Sequence, residues 1–429
     1  MFVRKRGNCM HLKQVTIENF RGIEKATLNL QPGINLLIGN NGVGKTSILE
    51  AIVAGLGACF KDISVAKAVP IKLDDIRQEL QVVDGSPSVK YHTPVRITCD
   101  MQIQNTEYKW SRSRKDESTS AKPSIEYPND KLRIAHWFRD ISNETNSPLP
   151  VLSYRNITRV TKRSDFGSSS KQLNDRRCGY TGCLDSELDD KFIRKWCYAM
   201  MRKSGTSIRY DLFRNAVGNV MRLMGELDSL PTIEFSEEFG TAGDFVYKEN
   251  NTTMPIAYLS AGYQSALWMV MDIAFRALLL NPGLKDISEV SGIVLIDEID
   301  QHLHPKWQWN ALNALHDTFP NIQFIITTHA PIVISSCKNA TIMTIDPDHK
   351  VTPIDTVYGY SVEDVIELTQ ESDAVVPELR DMYEQFEKAC AQKDLKLAQE
   401  YAEAIGNEFP KSTEWAKVKT RLRFLNIGG

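Results

Sequence analysis

Hydrophobic positions in the first fifty residues alternate as strands do. Val15–Phe20 and Ala26–Leu30 interleave apolar or small residues with polar ones, the mark of half-exposed strands. Pro32-Gly33 supplies a turn, and Ile34–Ile38 is a short, mostly apolar run suited to a buried central strand. A glycine-rich loop follows, then a helix over about Thr46–Gly57. Residues 58–94 read as mixed loop and short helix, Val95–Gln104 as a strand, and Glu107–Arg112 as its hairpin partner. The Ser-rich stretches 111–122 and 164–171 read as exposed loops. Helical spacing returns over 186–203 and 208–226, without sustained heptads. From Pro255 the pattern alternates: helix 262–281, strand Gly292–Ile296, helix 305–317, strand Gln323–Thr327, helix 331–336, strand 340–345. Such β-α-β order predicts parallel strands covered by helices. From Pro377 two amphipathic helical segments, broken near Gly406 and Pro410, form a hairpin.

Composition adds mostly exclusions. With 42% hydrophobic and 24% charged residues the chain has material for a large core. A net charge of -3 offers no bulk attraction to nucleic acid or membrane, although a local basic face stays open. No apolar run is long enough to cross a bilayer, and the basic N-terminus lacks the apolar stretch of a secretory signal. Met10 is either an alternative start or the end of an unstructured leader. The eight cysteines are scattered, which suits a reducing cytosol; Cys178 and Cys183 have no matching downstream pair, so thiols are favoured over zinc.

The chemistry begins at Gly39-Asn40-Asn41-Gly42-Val43-Gly44-Lys45-Thr46, between a buried strand and a helix. This is the full G-x-x-x-x-G-K-[ST] phosphate loop in its required context. Glycines let backbone N–H groups turn toward a β-phosphate, and the helix start adds positive potential. Lys45 is placed for the β- and γ-phosphates, the Thr46 hydroxyl for Mg²⁺, and Ser47 closes the loop. Downstream, Ile293–Ile296 ends in Asp297-Glu298. A strand of this kind, expected beside the P-loop strand, delivers Asp297 to Mg²⁺ and Glu298 to the attacking water as general base. Leu259-Ser260-Ala261-Gly262 opens a long apolar helix. Ser260 and Gly262 are either an ordinary capped start or a second anion site that addresses another subunit's nucleotide.

These stretches together resemble the ABC-type ATPase heads of the SMC, Rad50 and RecF kind. Leu259–Gly262 is similar to their Leu-Ser-Gly-Gly-Gln signature, with Ala261 in place of a glycine and Tyr263 before Gln264. Asn19-Phe20-Arg21-Gly22 resembles their opening, which places Arg21 near the phosphates or leaves it an exposed turn residue. Asp297–Pro305 resembles the Asp-Glu-x-Glu-x-x-Leu-His-Pro stretch of the OLD-like branch, so Asp300 belongs to a loop along a dimer seam, and His302/His304 are not a metal pair. Thr327-Thr328-His329-Ala330-Pro331 resembles the switch-histidine loop, in which His329 senses the γ-phosphate. Leu149–Arg155 and Asp175–Tyr180 resemble bacterial stand-alone ATPases that include the ATPase subunit of Septu-type antiphage systems.

The resemblance implies an α/β, ABC-type P-loop ATPase head with a mixed central sheet, an inserted helical lid and a C-terminal helical hairpin. The expected divisions are 1–110 and 251–360 for the two halves of the head, 111–250 for the lid and 361–429 for the helical region. It implies a cytoplasmic ATP- and Mg²⁺-dependent switch that dimerises, or forms a higher even-numbered oligomer, around ATP and regulates a separate HNH-type nuclease in antiphage defence. The alternative is a DNA-repair ATPase of RecF/SMC type that binds DNA directly. No coiled-coil arm fits between the halves, a transporter ATPase would need a membrane partner, and residues 330–429 leave no room for a Toprim nuclease.

Overall fold

The computed structural model describes residues 10–83, 86–156, 173, 175–185, 190–202, 208–239, 244–250, 252–369 and 376–424. The stretch 164–171, expected as a loop, lies outside them. The chain divides into two units, Met1–Tyr360 and Ser361–Gly429.

The first unit runs through β1 (Met10–Phe20), β2 (Ile23–Asn29), β3 (Ile34–Ile38), α1 (Lys45–Leu56), β4 (Arg77–Val83), β5 (Ser86–His92), β6 (Val95–Ile103), β7 (Thr106–Arg114), β8 (Ser124–Glu126), α2 (Ile134–Asn143) and β9 (Val151–Asn156). It continues through α3 (Asp190–Arg202), α4 (Ile208–Gly225), β10 (Thr232–Ser236), β11 (Asp244–Glu249), β12 (Thr252–Pro255), α5 (Ala261–Leu280), β13 (Gly292–Asp297), α6 (Pro305–Thr318), β14 (Ile322–Thr327), α7 (Pro331–Ser335), β15 (Thr341–Ile345) and β16 (Val351–Ile354).

The central sheet has the order β16-β15-β3-β14-β13-β9, parallel except for the antiparallel pair β15–β16. Strands β3, β13 and β14 are buried along their whole length, as their continuous apolar runs require. The order corrects one expectation. Strand β13, with its two carboxylates, is not beside the P-loop strand β3, because β14 lies between them. Thr327 at the end of β14 therefore bridges the two, as described below.

A second sheet, β2-β1-β6-β7-β8, is antiparallel and packs on α1. That covers both sides of α1, which explains why Ile48, Leu49, Ile52, Val53 and Leu56 can all be buried. The Trp110 indole donates to the Gly55 carbonyl at 2.9 Å, and a Cβ on Gly55 would fall 2.6 Å from Cys99 Sγ, so the helix and sheet are in close contact there.

Residues 111–114, read from their polarity as a loop, belong to the buried end of β7. Most of their polar groups have partners inside, the Arg112 Nε being the exception. Ser111 pairs with Thr98 at 2.8 Å and Ser113 with Ser124 at 2.9 Å. The Arg112 guanidinium donates to the carbonyls of Ala54 and Val69, and Arg114 to those of Ile71 and Ser118. Buried polar side chains satisfied in this way cost little, and residue type alone hides them. Residues 77–83 and 86–92 also differ from expectation. They form the hairpin β4–β5, whose exposed Leu80, Val82 and Val89 break the usual in-out alternation.

Strand β9 joins the sheet edge beside β13, and α5 packs against it. Asp272 of α5 sits between Arg155 of β9, at 2.5 Å, and Arg276 of its own helix, at 2.9 Å. All three side chains are buried, and Ser153 adds a hydrogen bond to Asp272 at 3.0 Å. Burial alone would raise the Asp272 carboxyl, but the two guanidinium groups outweigh it and hold it below the ordinary value of 3.8. Arg276 also donates to the carbonyls of Gly179 and Thr181 at 2.7 and 3.0 Å, which ties the 176–185 segment to α5.

The second unit contains α8 (Val362–Thr369), α9 (Pro377–Ala391), α10 (Leu395–Glu408) and α11 (Thr413–Phe424). Helices α9 and α10 form the hairpin, and α11 adds a third helix to a core built on Leu379, Phe386, Ala398, Ala402, Ile405 and Val418. Gly406 is within α10 and is not a break: a Cβ there would meet the Trp415 ring at 2.8 Å, so its bareness lets α11 approach. No described helix is long and apolar enough to cross a membrane.

Substituting Asp272→Leu leaves two buried guanidinium groups without their carboxylate. The expected loss is about 3–5 kcal/mol of stability, read as a lower denaturation midpoint. Because the Asp272 carboxyl is held below 3.8, its contribution is complete at neutral pH and fades as pH falls through that lowered value; a flat acid limb in the unsubstituted protein would contradict this.

Candidate functional site

The site is assembled at the carboxyl edge of the central sheet. Gly42 and Gly44 of the P-loop have φ of +89° and +90°, left-handed values that glycine adopts without strain. Gly44 caps the start of α1, so the loop's backbone N–H groups face a common point. The Lys45 ammonium folds over this loop and donates to the carbonyls of Gly39 and Asn40 at 2.7 and 3.0 Å. Lys45 is buried, and that burial lowers its pKa against the opposing pull of Glu298, Asp297 and Asp300. Three carboxylates therefore lie near one ammonium, a field into which a phosphate–metal pair fits as counter-charge.

Asp297 is the hub. Its Oδ2 accepts the Thr46 hydroxyl at 2.8 Å and the Asn156 amide at 2.9 Å, and its Oδ1 accepts the Thr327 hydroxyl at 2.6 Å. Thr327 in turn accepts the Glu298 backbone N–H at 2.8 Å. Glu298 is in the left-handed region at φ 54°, a conformation that costs energy for a side-chain-bearing residue and is typical of functional turns. A carboxylate and a hydroxyl beside an anion cradle are the hard oxygen donors that Mg²⁺ takes, with phosphate and water completing its shell. The donor set thus fits Mg²⁺ nucleotide. Among the described residues no cluster of three His, Cys, Asp or Glu forms a separate metal site.

The next two members of the site are also joined. Asp300, buried, accepts the Thr328 hydroxyl at 2.5 Å and lies 3.3 Å from His329 Nδ1, while the His329 side chain is 48% exposed. Asp300 thereby orients an imidazole that faces outward over the site.

Arg21 is placed differently. Its side chain pairs with Asp75, through Nε at 3.0 Å, and with Glu50 of α1. It braces the turn between β1 and β2 against α1.

Ser260 and Gly262 form a separate patch. Ser260 caps α5, its hydroxyl accepting the Tyr263 N–H at 3.5 Å. A Cβ on Gly262 would fall 2.2 Å from the His302 carbonyl, so only glycine fits where α5 meets the 297–304 loop. Tyr263 and Gln264, which follow, each have a local partner. Tyr263 packs on Trp307 with ring centroids 4.2 Å apart, fastening α5 to α6. Gln264 turns its amide back to the carbonyls of Leu259 and Ala257, at 2.8 and 3.2 Å. His304 caps α6 through Nδ1, so its place before Pro305 has a local structural cause. Beside Ser260 opens a cavity of about 350 Å³ whose lining includes Tyr263, His302, His304, Lys306 and Trp307.

Sequence reasoning overlooked Asn156 and the Arg155–Asp272–Arg276 cluster. Asn156 carries no motif, and only the pairing of β9 with β13 sets it opposite Asp297. Cys178 and Cys183 are buried free thiols, their pKa values pushed up by burial to about 11 and about 12.

Comparison with known proteins finds the following similarities. Residues 14–195 match the family described as AAA domain, and residues 186–334 the family described as AAA ATPase domain. The chain is 25% identical over 421 residues to the retron Vc95 probable ATPase of Vibrio cholerae, covering 85% of this chain and 80% of that protein. It is also 25% identical over 374 residues to Septu protein PtuA of Bacillus thuringiensis, covering 83% of each. The SMC head domain from Thermotoga maritima aligns at 14% identity with a TM-score of 0.44, over 80% of this chain and 99% of that one. With the P-loop, the Asp297 hub and relatives that span most of its length, the chain is an ATPase, similar to the retron Vc95 probable ATPase and to Septu protein PtuA.

Proposed function

We propose that this ATPase is a switch that closes face to face with a second copy around Mg²⁺-ATP and thereby regulates a separate effector, an HNH-type nuclease in antiphage defence. The observation that carries the reading is the division of the site. Lys45, Thr46, Asp297, Glu298 and His329 gather at one sheet edge, whereas Ser260 and Gly262 lie beside a different cavity, lined by His302, His304 and Lys306. The helix start, the Ser260 hydroxyl and the Lys306 ammonium, which also pairs with Glu226, suit a phosphate there, and the chain's own P-loop already supplies a complete cradle.

In this reading the backbone of Asn40, Asn41, Gly42, Val43 and Gly44, with Ser47, wraps the phosphates. Lys45 neutralises the β- and γ-oxygens. Thr46 and Asp297 hold Mg²⁺, and Asn156 keeps Asp297 in register. Glu298 takes the proton of the attacking water, and His329, oriented by Asp300, meets the γ-phosphate. Arg21, braced by Asp75 and Glu50, supports the cradle from the β1–β2 turn. Ser260 and Gly262 of one subunit address the γ-phosphate of the other. ATP then favours the closed pair by its differential affinity for that state, and loss of the γ-phosphate releases it. Support for the defence role comes from the retron and Septu relatives; the chain's net charge of -3 does not favour direct DNA binding as its main function.

Three outcomes are expected. Glu298→Gln lowers kcat by at least about 100-fold and, with ATP and Mg²⁺, shifts the solution mass to an even multiple of the chain, whereas Lys45→Ala with the same additions does not shift it. A Glu298→Gln chain that binds ATP yet stays monomeric would sink the paired reading. Asn156→Ala raises the half-saturating Mg²⁺ concentration about tenfold while nucleotide binding without metal is unchanged, measured by fluorescence titration.

A further inference from the structure

We propose that His349 forms part of the subsite for the nucleoside of the bound nucleotide, its imidazole offering a face to the purine. The proposal rests on the ATP site described above and extends it to the half of the ligand that the P-loop does not hold.

Strand order sets the direction in which a nucleotide lies. Thr46 and Asp297 meet on the β14–β13 flank of β3, which fixes the metal and terminal-phosphate end of a nucleotide on that side. The sugar and base must leave the P-loop in the other direction. The opposite flank of β3 is β15, which runs parallel to it and ends at the same sheet edge. The turn from β15 into β16 therefore closes the side toward which the nucleoside extends.

His349 is in that turn and reaches the P-loop. A Cβ built on Gly44 would lie 3.0 Å from its Cδ2 and 3.1 Å from its Nε2, and one on Gly22 would lie 3.5 Å from its Cε1. The imidazole is thus wedged between the start of α1 and the β1–β2 turn, against two residues that have no side chain to shield it. A Cβ on Gly39 would fall 2.7 Å from the Ile345 carbonyl, so the end of β15 itself touches the start of the P-loop.

The turn also holds the ring in place. His349 has φ of +61°, a left-handed conformation that is uncommon outside glycine and that histidine, with asparagine and aspartate, adopts more readily than most residues. It is fixed by its N–H to the Asp346 carbonyl at 2.9 Å and by the Lys350 N–H to the Asp346 carboxylate at 2.8 Å. His349 as a residue is half-buried, with its ring edge approaching Gly44 and Gly22. A fixed aromatic ring beside a phosphate cradle, on the side where the base emerges, is a stacking platform: every base has a π-face, and stacking needs no hydrogen-bond code.

The test compares two ligands on the full chain, Mg²⁺-ATP and Mg²⁺-tripolyphosphate, by isothermal titration. Tripolyphosphate keeps the phosphates and lacks the nucleoside. His349→Ala is expected to weaken ATP about tenfold, which is 1.4 kcal/mol, and to leave tripolyphosphate unchanged. His349→Phe, which keeps a ring, is expected to retain ATP affinity. His349→Asn, which tolerates the left-handed backbone but has no ring, is expected to behave as the alanine variant does. Equal weakening of both ligands by His349→Ala would overturn the proposal, since His349 would then merely support the P-loop. No weakening of either would overturn it as well. If the unsubstituted chain bound tripolyphosphate but gained nothing from the nucleoside, this subsite alone would fall; failure to bind either ligand would overturn the ATP site beneath it.

Discussion

The organisation of this molecule depends on one buried carboxylate. Asp297 draws hydroxyls from α1 and β14 and an amide from β9 onto its two oxygens. Those elements come from three distant parts of the chain, and each could otherwise choose its own register. A buried carboxylate without donors would carry a desolvation cost of several kcal/mol, so the three donors are needed for the fold as well as for chemistry. The same satisfaction leaves the oxygens preorganised for a hard cation, with no reorganisation of the scaffold.

Strand β9 extends this constraint to helix α5. Residues 155 and 156 point to opposite faces of the sheet, as neighbours in a strand must. Asn156 holds the carboxylate of the metal site, while Arg155 grips Asp272 in the middle of α5. The same helix begins at Ser260. The Asp297 hub and the start of α5 are therefore built on one strand and one helix joined by a buried ion cluster. Tyr263 and Trp307 tie the start of α5 to α6, and His304 caps α6. Tyr263 is thus accounted for by local packing, while Ala261 has no structural explanation.

The motifs with fixed spacing were legible without coordinates. Gly39–Thr46 needs a strand before it and a helix after it, and both exist because local propensity and burial agree there. Asp297-Glu298 and Thr327–His329 were legible for the same reason, since each ends an apolar run that can only be a buried strand. Polarity misled where partners were remote. The Ser-Arg-Ser-Arg run of β7 looks solvent-exposed, yet its guanidinium groups are satisfied by carbonyls some forty to sixty residues away in the chain. Asn156 and His349 belong to no motif, and nothing in their neighbours' sequence marks them.

The sequence by itself determined the phosphate loop, the position of the two acids and of His329 at strand ends, and the parallel α/β character, because each depends on residues a few positions apart with one backbone geometry that suits them. Only the tertiary structure decided that β14 separates the P-loop strand from the carboxylate strand, that Asn156 completes the Asp297 hub, that Arg21 braces Asp75 and Glu50, and that His349 closes the far flank of the P-loop. Those facts follow from strand order and from long-range pairing of buried polar groups. Such pairings are chosen by the free energy of the whole assembled core, and no local pattern of residues encodes them.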